Sequence, residues 1–263
     1  MSKIPVGVLG ATGMVGQMYM SLLADHPWFE TAYAAASPRS AGKSYREAVA
    51  GRWHLEKTIG ALGAAADLIV EDAGDVEKAA AARRAGKCAL VFSALEMGKE
   101  EIKRLEEAYA AVGIAVVSNA SANRWTADVP MLIAEVNPSH ADIIPLQRKN
   151  RGWDGCIVIK PNCSIQSYMT PLWALIRAGY EIKRLVVSTM QAVSGAGYPG
   201  VPSWDMIDNI VPYIGGEEEK SELEPLKILG TIRDGAFVNA LEPKISAHCN
   251  RVPVADGHTA CVS

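Results

Sequence analysis

The sequence feature that most constrains the fold is a glycine-rich turn close to the N-terminus. Residues 4–9 form a short apolar run that predicts a buried strand, and the residues after the turn, to about Ala24, have helical character. Glycine between a strand and a helix lets the backbone bend tightly and approach a pyrophosphate, which then rests on the helix N-terminus. We therefore expect a dinucleotide site, with an ordinary tight turn as the alternative. Its contacts would be Gly10, Thr12, Gly13, Met14, Val15 and Gly16.

The end of the second predicted strand, residues 31–36, indicates which dinucleotide binds. A site selective for NAD usually has a carboxylate here to hold the ribose hydroxyls. This chain instead has two hydroxyls and a guanidinium, supplied by Ser37, Ser40 and Arg39. Because that set suits a 2′-phosphate, we expect NADP, with a polar turn and a solvated Arg39 as the alternative.

The rest of the first half alternates predicted strands and helices. The strands are 67–70, 88–92 and 114–117, and the helices are 76–85 and 99–111. Such alternation predicts an α/β fold with a parallel, Rossmann-like sheet, which binds ligands at the carboxyl ends of its strands. Ser93 and the segment 118–121 lie at such ends, so they are candidate cofactor contacts or, equally, helix caps.

Length and composition restrict the remaining possibilities. A chain of 263 residues, with 49% apolar and 21% charged residues, predicts two globular domains. A polar, glycine-bearing segment at 147–155 sets their boundary, which gives domains 1–150 and 151–263. The net charge of −3 offers no attraction for nucleic acid or an anionic membrane, and no apolar run approaches the roughly 18–20 residues of a membrane span.

The five cysteines indicate a reducing compartment. They are odd in number and form no Cys-x-x-Cys pair, so neither a disulfide framework nor a metal site is predicted. The N-terminus has no secretory signal pattern, because it runs almost at once into the first strand. We therefore expect a cytoplasmic protein.

Cys163 is the candidate nucleophile. The segment Lys160-Pro161-Asn162-Cys163-Ser164-Ile165-Gln166 connects a predicted strand, 156–159, to a predicted helix, 164–178. The free N–H groups and the dipole of a helix N-terminus stabilise a thiolate, which is nucleophilic at neutral pH. A small buried cysteine is the alternative.

Further candidates follow Cys163 in the chain. Gln191 ends a predicted strand, 182–190, and precedes a glycine-rich turn, so its amide could face a reacting carbonyl or belong to an ordinary turn. Arg251 can grip a carboxylate with two donors. His258 can exchange protons near pH 7, or it is a structural histidine. The acidic run 217–219 also suits a solvated helix N-terminus.

Five motifs in order resemble the aspartate-semialdehyde dehydrogenase family, in particular its archaeal and fungal branch. They are Gly10-Ala11-Thr12-Gly13-Met14-Val15-Gly16, Pro161-Asn162-Cys163-Ser164, Met190-Gln191-Ala192-Val193-Ser194-Gly195-Ala196-Gly197, Gly216-Glu217-Glu218-Glu219-Lys220, and Asn250-Arg251-Val252-Pro253-Val254 with Gly257-His258. The resemblance implies NADPH-dependent reduction of aspartyl phosphate to aspartate semialdehyde, a step toward lysine, threonine and methionine. It also implies a Rossmann-like domain followed by an α+β catalytic and dimerisation domain, in a homodimer or homotetramer.

The resemblance also implies residue roles. Cys163 would attack the acyl phosphate, His258 would act as acid and base, and Gln191 would orient the intermediate. Ser194 and Gly195 would contact the cofactor. Arg251 would hold the α-carboxylate, and Glu217, or a neighbour in the run 217–219, would face the α-ammonium. The phosphate would be held by Lys220, Arg124 and Asn119.

The resemblance leaves alternatives open. Members of the family continue well beyond the position of Ser263, so the catalytic and dimerisation domain is expected to be incomplete. An acyl-CoA reductase of the malonyl-CoA or succinyl-CoA type retains the same cysteine and histidine, but the Glu217 and Lys220 pair favours an ammonium and a phosphate. An inactive NADP-binding fragment is the alternative from another class. A glyceraldehyde-3-phosphate-type dehydrogenase uses the same cysteine and histidine chemistry, but this sequence contains no segment that matches its catalytic segment.

Overall fold

The computed structural model describes residues 2–263 and divides them into two compact units. The first unit comprises the chain up to Trp125 together with Ile144–Ile159, and the second comprises Thr126–Ile143 together with Lys160–Ser263. This division differs from the single boundary predicted at residue 150, because Ile144–Ile159 returns to the first unit and supplies the last strand of its sheet. Within residues 2–263, no helix is both long and apolar enough to cross a membrane.

The first unit alternates strands and helices, as predicted. Its strands are β1 (Ile4–Leu9), β2 (Phe29–Ala36), β3 (Val70–Asp72), β4 (Leu90–Ser93), β5 (Ala115–Ser118) and β6 (Cys156–Ile159). Its helices are α1 (Met14–Leu23), α2 (Tyr45–Ala48), α3 (Val76–Arg84), α4 (Lys99–Ala111) and α5 (Ile144–Arg151), with a 3₁₀ segment over Ile59–Asp67.

All six strands of the first unit are parallel. Their order, β3-β2-β1-β4-β5-β6, is that of a doubly wound, Rossmann-like sheet and confirms the predicted fold class. The order reverses between β1 and β4, so the carboxyl ends of these strands border the crevice where such sheets bind ligands. The last four residues of β1 are buried, which is typical of a parallel strand covered on both faces.

The predicted element boundaries differ most around residue 67. The apolar run 67–70 was expected to be a strand, but residues up to Asp67 belong to the 3₁₀ segment and β3 begins only at Val70. Three short elements, α2, the 3₁₀ segment and α5, were not predicted, because they have too few turns to show a helical apolar period. The longer amphipathic helix α4 has the predicted bounds.

The second unit is a mixed α+β assembly. Its strands are β7 (Arg184–Gln191), β8 (Thr231–Arg233), β9 (Ala236–Val238), β10 (Lys244–Arg251) and β11 (His258–Val262). Its helices are α6 (Cys163–Arg177), α7 (Ser203–Met206) and α8 (Glu217–Ile228), with 3₁₀ segments over Pro138–Ile143 and Val193–Ala196. β8 and β9 form a hairpin, and the other three strands form a sheet in the order β10-β7-β11.

Backbone N–H groups on the outer edge of β10 form hydrogen bonds with groups outside the sheet. The backbone N–H groups of Ala247 and Cys249 donate to the carboxylates of Glu222 and Glu218, at 3.2 and 3.1 Å. The backbone N–H of Arg251 donates to the carbonyl of Val211 at 2.8 Å. An edge strand covered in this way offers few free groups for further pairing, and its register against α8 is fixed.

Candidate active site

Three candidate residues lie side by side because of strand register in the second unit. Gln191 ends the central strand β7, where it pairs with Arg251 of the parallel strand β10 and with His258 of the antiparallel strand β11. These residues are far apart in sequence, between 7 and 67 positions, yet the register makes them neighbours in one row. Because alternate residues of a strand share a face, the buried residues Leu185, Val187 and Thr189 of β7 set the side to which Gln191 points.

Cys163 is the first residue of α6 and lies against His258. Its side chain is exposed, and its Sγ lies 3.1 Å from Nε2 of His258. Asn162 caps the helix, since its side-chain oxygen accepts the backbone N–H of Ser164 at 2.9 Å. The helix therefore begins one residue earlier than predicted, and the sulfur lies in the first turn, where free N–H groups favour an anion.

The surroundings of the sulfur favour a thiolate. Partial desolvation acts to raise the pKa of Cys163, but the hydrogen bond with His258 and the positive charges of His258 and Lys160 outweigh it, so the pKa is lowered. The same hydrogen bond raises the pKa of His258. Both shifts act in the direction of a thiolate–imidazolium pair.

The three buried cysteines differ from Cys163 in the direction of their pKa shifts. Burial raises the pKa of Cys88 to about 12, and it also raises the pKa of Cys156 and Cys249. Each of these thiols is packed in a core and stays protonated, which is the alternative first considered for Cys163.

Glu217 is the most connected carboxylate near the row. It is buried and accepts hydrogen bonds from Lys220 Nζ at 2.6 Å, Asn162 Nδ2 at 2.7 Å and Gln191 Nε2 at 3.3 Å. Desolvation opposes ionisation, but the bond and charge of Lys220 and the two amides lower the pKa of Glu217. Of its neighbours, Glu218 is bonded to the edge of β10 and Glu219 is exposed.

Gly195 lies close to both Arg251 and His258. Arg251 is buried, and its Nη1 donates to the carbonyl of Ala192 at 2.7 Å. A Cβ added to Gly195 would lie 3.2 Å from Arg251 Nη1 and 3.2 Å from His258 Cε1, so glycine keeps this approach open. The hydroxyl of Ser194 donates to Asp256 at 2.7 Å, which joins the turn after β7 to the loop before β11.

The glycine turn of the first unit fits a dinucleotide. Gly10 has φ +70°, and a Cβ there would clash with the backbone carbonyl of Ala94, at the end of β4. A Cβ at Gly16 would clash with the carbonyl of Gly10. Thr12 and Met14 are partly exposed, and Gly13 and Val15 are exposed, so the backbone at the start of α1 is open to a pyrophosphate.

The other first-unit residues predicted to bind the cofactor differ in their exposure to solvent. Ser37 and Arg39 are exposed at the end of β2, whereas Ser40 is buried. Ser93 is fully buried and its hydroxyl donates to Glu106 at 2.8 Å, so this hydroxyl is turned toward the protein interior.

Glu106 is a buried carboxylate for which the sequence predicted no role. It also accepts from Asn123 Nδ2 at 3.0 Å and from the Ser118 hydroxyl, and thereby ties the ends of β4 and β5 to the segment that carries Asn119 and Arg124. Arg124 is buried and its Nη2 donates to the carbonyl of Asn119 at 3.4 Å. The only available sequence signal was a carboxylate on the apolar side of the amphipathic helix α4.

The fold and the cysteine–histidine pair together define a class. A doubly wound sheet with a glycine turn at its first βα connection, in a chain that also carries an activated thiol, is typical of the dinucleotide-dependent dehydrogenases that act through a thiolate. Residues 2–263 contain no group of three or more His, Cys, Asp or Glu side chains placed to hold a metal ion.

Comparison with known proteins narrows this class. Residues 5–144 match the family description "Semialdehyde dehydrogenase, NAD binding domain", and residues 172–263 match "Semialdehyde dehydrogenase, dimerisation domain". The chain is 45% identical to an aspartate-semialdehyde dehydrogenase of Archaeoglobus fulgidus over 99% of this chain and 71% of that protein. It is 43% identical to the enzyme of Schizosaccharomyces pombe over 98% of this chain and 69% of that protein.

A solved structure agrees. The crystal structure of aspartate-semialdehyde dehydrogenase with NADP from Candida albicans superposes with a TM-score of 0.84 at 39% identity, covering 100% of this chain and 71% of that one. The chain belongs to the aspartate-semialdehyde dehydrogenase family. The resemblance of its five motifs to the archaeal and fungal branch is thereby confirmed.

Proposed function

We propose that this chain catalyses the NADPH-dependent reduction of L-aspartyl 4-phosphate to L-aspartate 4-semialdehyde and phosphate, a step in the biosynthesis of lysine, threonine and methionine. The observation that carries the proposal is the 3.1 Å contact between Cys163 Sγ and His258 Nε2 at the N-terminus of α6. Membership of the family supports the substrate assignment.

Cys163 is the proposed nucleophile. Its thiolate attacks the acyl carbon, the carbon–oxygen bond to phosphate breaks, and a thioester on Sγ remains. After reduction, the carbon–sulfur bond breaks, the aldehyde leaves and the thiolate is restored. His258 stabilises the thiolate before attack. Afterwards it acts as general acid and base toward the tetrahedral oxygen, a role consistent with its contact with Sγ.

Gln191 and Arg251 would position the substrate. The strand register that pairs both Arg251 and His258 with Gln191 supports a shared role. Gln191 orients the tetrahedral oxygen with its amide, and Arg251 binds the α-carboxylate with its guanidinium. The Gly195 backbone leaves room beside both Arg251 and His258, and Ser194 stands next to it, so we assign these two residues to the nicotinamide side of the site.

Glu217 and Lys220 would exchange partners when the substrate binds. They form an ion pair of 2.6 Å. The substrate brings an α-ammonium and a phosphate, so Glu217 can turn to the ammonium and Lys220 to the phosphate without leaving either charge unpaired. That Arg124 and Asn119 also contact the phosphate stays a prediction from the family resemblance.

The residues proposed to hold NADPH lie mainly in the glycine turn and just after β2. Gly10, Thr12, Gly13, Met14, Val15 and Gly16 would hold the pyrophosphate, and the exposed pair Ser37 and Arg39, with Ser40, would hold the 2′-phosphate. Ser93 would contribute through its backbone, because its hydroxyl is bonded to Glu106. When bound, NADPH supplies the hydride for reduction of the thioester.

The direct test is phosphate-dependent reduction of NADP with aspartate semialdehyde, followed by the absorbance of NADPH. We expect activity that needs phosphate and that coenzyme A does not replace. Activity with coenzyme A and without phosphate would instead identify an acyl-CoA reductase. Cofactor binding without turnover in either assay would identify a binding module and contradict the proposal.

We further propose that the chain acts as a homodimer or homotetramer in a reducing compartment, the cytoplasm. The family's dimerisation domain covers residues 172–263, and Val186, His248 and Thr259 expose one face of the β10-β7-β11 sheet. All five cysteines are free thiols, as reducing conditions favour. Light scattering at several concentrations would distinguish dimer from tetramer, and a monomer at all of them would contradict the assembly.

A further inference from the structure

Glu224 is a fully buried carboxylate that no proposed step of the reaction uses. It lies on α8, seven residues and about two helical turns after Glu217, so the two side chains project from the same side of the helix. Because it is fully buried, it would not contact a substrate. A carboxylate is rarely buried in this way unless it is hydrogen-bonded or paired.

The partner of Glu224 is the residue that precedes the nucleophile. Its Oε2 accepts the backbone N–H of Asn162 at 2.7 Å, while Glu217 accepts the side-chain Nδ2 of the same asparagine at 2.7 Å. Asn162 is itself buried and caps the helix that begins with Cys163. One helix therefore holds the capping residue at two points, one on its backbone and one on its side chain.

Lys227, three residues further along α8, interacts with the charge of Glu224. Lys227 is buried, donates from Nζ to the carbonyl of Val129 at 3.1 Å, and lies over the ring of Phe237 at 4.8 Å. Burial lowers the pKa of Lys227 to about 8, against the opposing charges of Glu224 and Asp128. An anchored carboxylate with a nearby ammonium is a rigid acceptor, and a rigid acceptor fixes the donor that it holds.

We infer that Glu224 is a positioning residue for the nucleophile: by holding the backbone N–H of Asn162, it sets the first turn of α6 so that Cys163 Sγ meets His258 Nε2. The inference rests on the proposed role of Cys163. Without this acceptor, the buried N–H of Asn162 would lack a partner, and the turn would shift to find one. A shift of even about 1 Å between reacting groups is large on the scale of catalytic geometry.

The test is the pH dependence of Cys163 alkylation by iodoacetamide, with the label located by mass spectrometry. In Glu224→Ala, the contact with His258 would form less often, so the midpoint would move up by about one pH unit and the rate at pH 7 would fall about tenfold. The rates would converge at high pH, where the thiol is ionised in both proteins. The kcat would fall while the KM for phosphate stayed near that of the parent enzyme.

Two conservative variants separate the hydrogen bond from bulk and charge. Glu224→Gln retains an oxygen acceptor, so alkylation should stay within about threefold of the parent enzyme. Glu224→Asp retains the charge but withdraws the oxygen by one methylene, so its profile should shift in the direction of Glu224→Ala. This variant keeps the inference testable if Glu224→Ala does not fold.

Glu222→Ala is the matched control. It removes a bond of the same kind, from a carboxylate of α8 to a backbone N–H, but on the β10 edge. It should lower stability and leave the alkylation profile unchanged. An unshifted profile in folded Glu224→Asp, or an equal shift in Glu222→Ala, would overturn the inference. Because alkylation needs neither substrate nor NADPH, a silent enzyme assay would count against the proposed function alone.

Discussion

The glycine turn of the first unit and the Arg251–Gln191–His258 row of the second unit are built in opposite ways. The turn is local: seven consecutive residues bend the backbone, and three of them are glycines. The row consists of side chains from three strands, and only sheet register brings them together. A site made of backbone groups depends on residues small enough to let a ligand approach, whereas a site made of side chains depends on how the strands pair.

This difference predicts which properties a substitution in each region should alter. A substitution in the turn is opposed by sterics and acts on the backbone, so it should affect cofactor binding and stability together. A substitution in the row removes one functional group and leaves the sheet in place, so it should affect the chemistry and leave stability nearly unchanged. Four predictions, from the largest expected effect to the smallest, test this comparison at the side-chain site of Cys163 and His258 and at the proposed cofactor site of the turn and Arg39.

Cys163→Ser should give the largest loss. A hydroxyl in the same place is a far weaker nucleophile than a thiolate, so turnover should fall by at least about 10⁴-fold, with little change in thermal unfolding. The measurement is the initial rate of NADPH formation. Cys261→Ser, at the other exposed cysteine, is the control and should keep most of the activity. Turnover that survives in Cys163→Ser would refute the thioester mechanism.

His258→Ala should come next, with a loss of about 10²–10⁴-fold in turnover. It should also raise the pKa of Cys163, because the hydrogen bond and the positive charge that lower it are removed while desolvation remains. The midpoint of Cys163 alkylation against pH should then lie above that of the parent enzyme. A midpoint identical to that of the parent enzyme would show that His258 does not activate the sulfur.

Gly10→Ala tests the turn. The substitution places a side chain at φ +70° and against the carbonyl of Ala94, so we expect about 1–3 kcal/mol less stability and weaker binding of NADPH. Gly42→Ala is the control, because Gly42 has φ +81° with open space around it and carries only the backbone strain. Thermal unfolding and cofactor titration would separate the two. Equal effects would mean that the contact with Ala94 is unimportant.

Arg39→Ala should have the smallest effect and the most selective one. Loss of a charge-assisted contact to the 2′-phosphate should weaken NADPH binding about tenfold or more and leave NADH binding nearly unchanged. Arg46→Ala, which removes another exposed arginine of this unit, should alter neither. Titration with both cofactors measures the ratio, and equal losses for the two would remove Arg39 from the proposed site.

Much of the fold was predictable because its signals are local. Helix α4 has the predicted bounds because its apolar residues recur at helical spacing on a charged background. The Rossmann-like sheet followed from alternating strands and helices. The strand predicted over 67–70 is present but begins only at Val70, because a short apolar run indicates a strand without fixing its ends. The return of Ile144–Ile159 to the first unit left no local mark, since it depends on pairing with a distant strand.

The sequence by itself determined the glycine turn, the identity of the candidate nucleophile and the family motifs, because each depends on neighbouring residues and on their chemistry. Only the tertiary structure decided that Gln191 stands between Arg251 and His258, that Glu218 binds the β10 edge while Glu217 meets Lys220, and that Glu224 holds Asn162. The physical reason is that residues tens of positions apart come within hydrogen-bonding distance only when the chain folds.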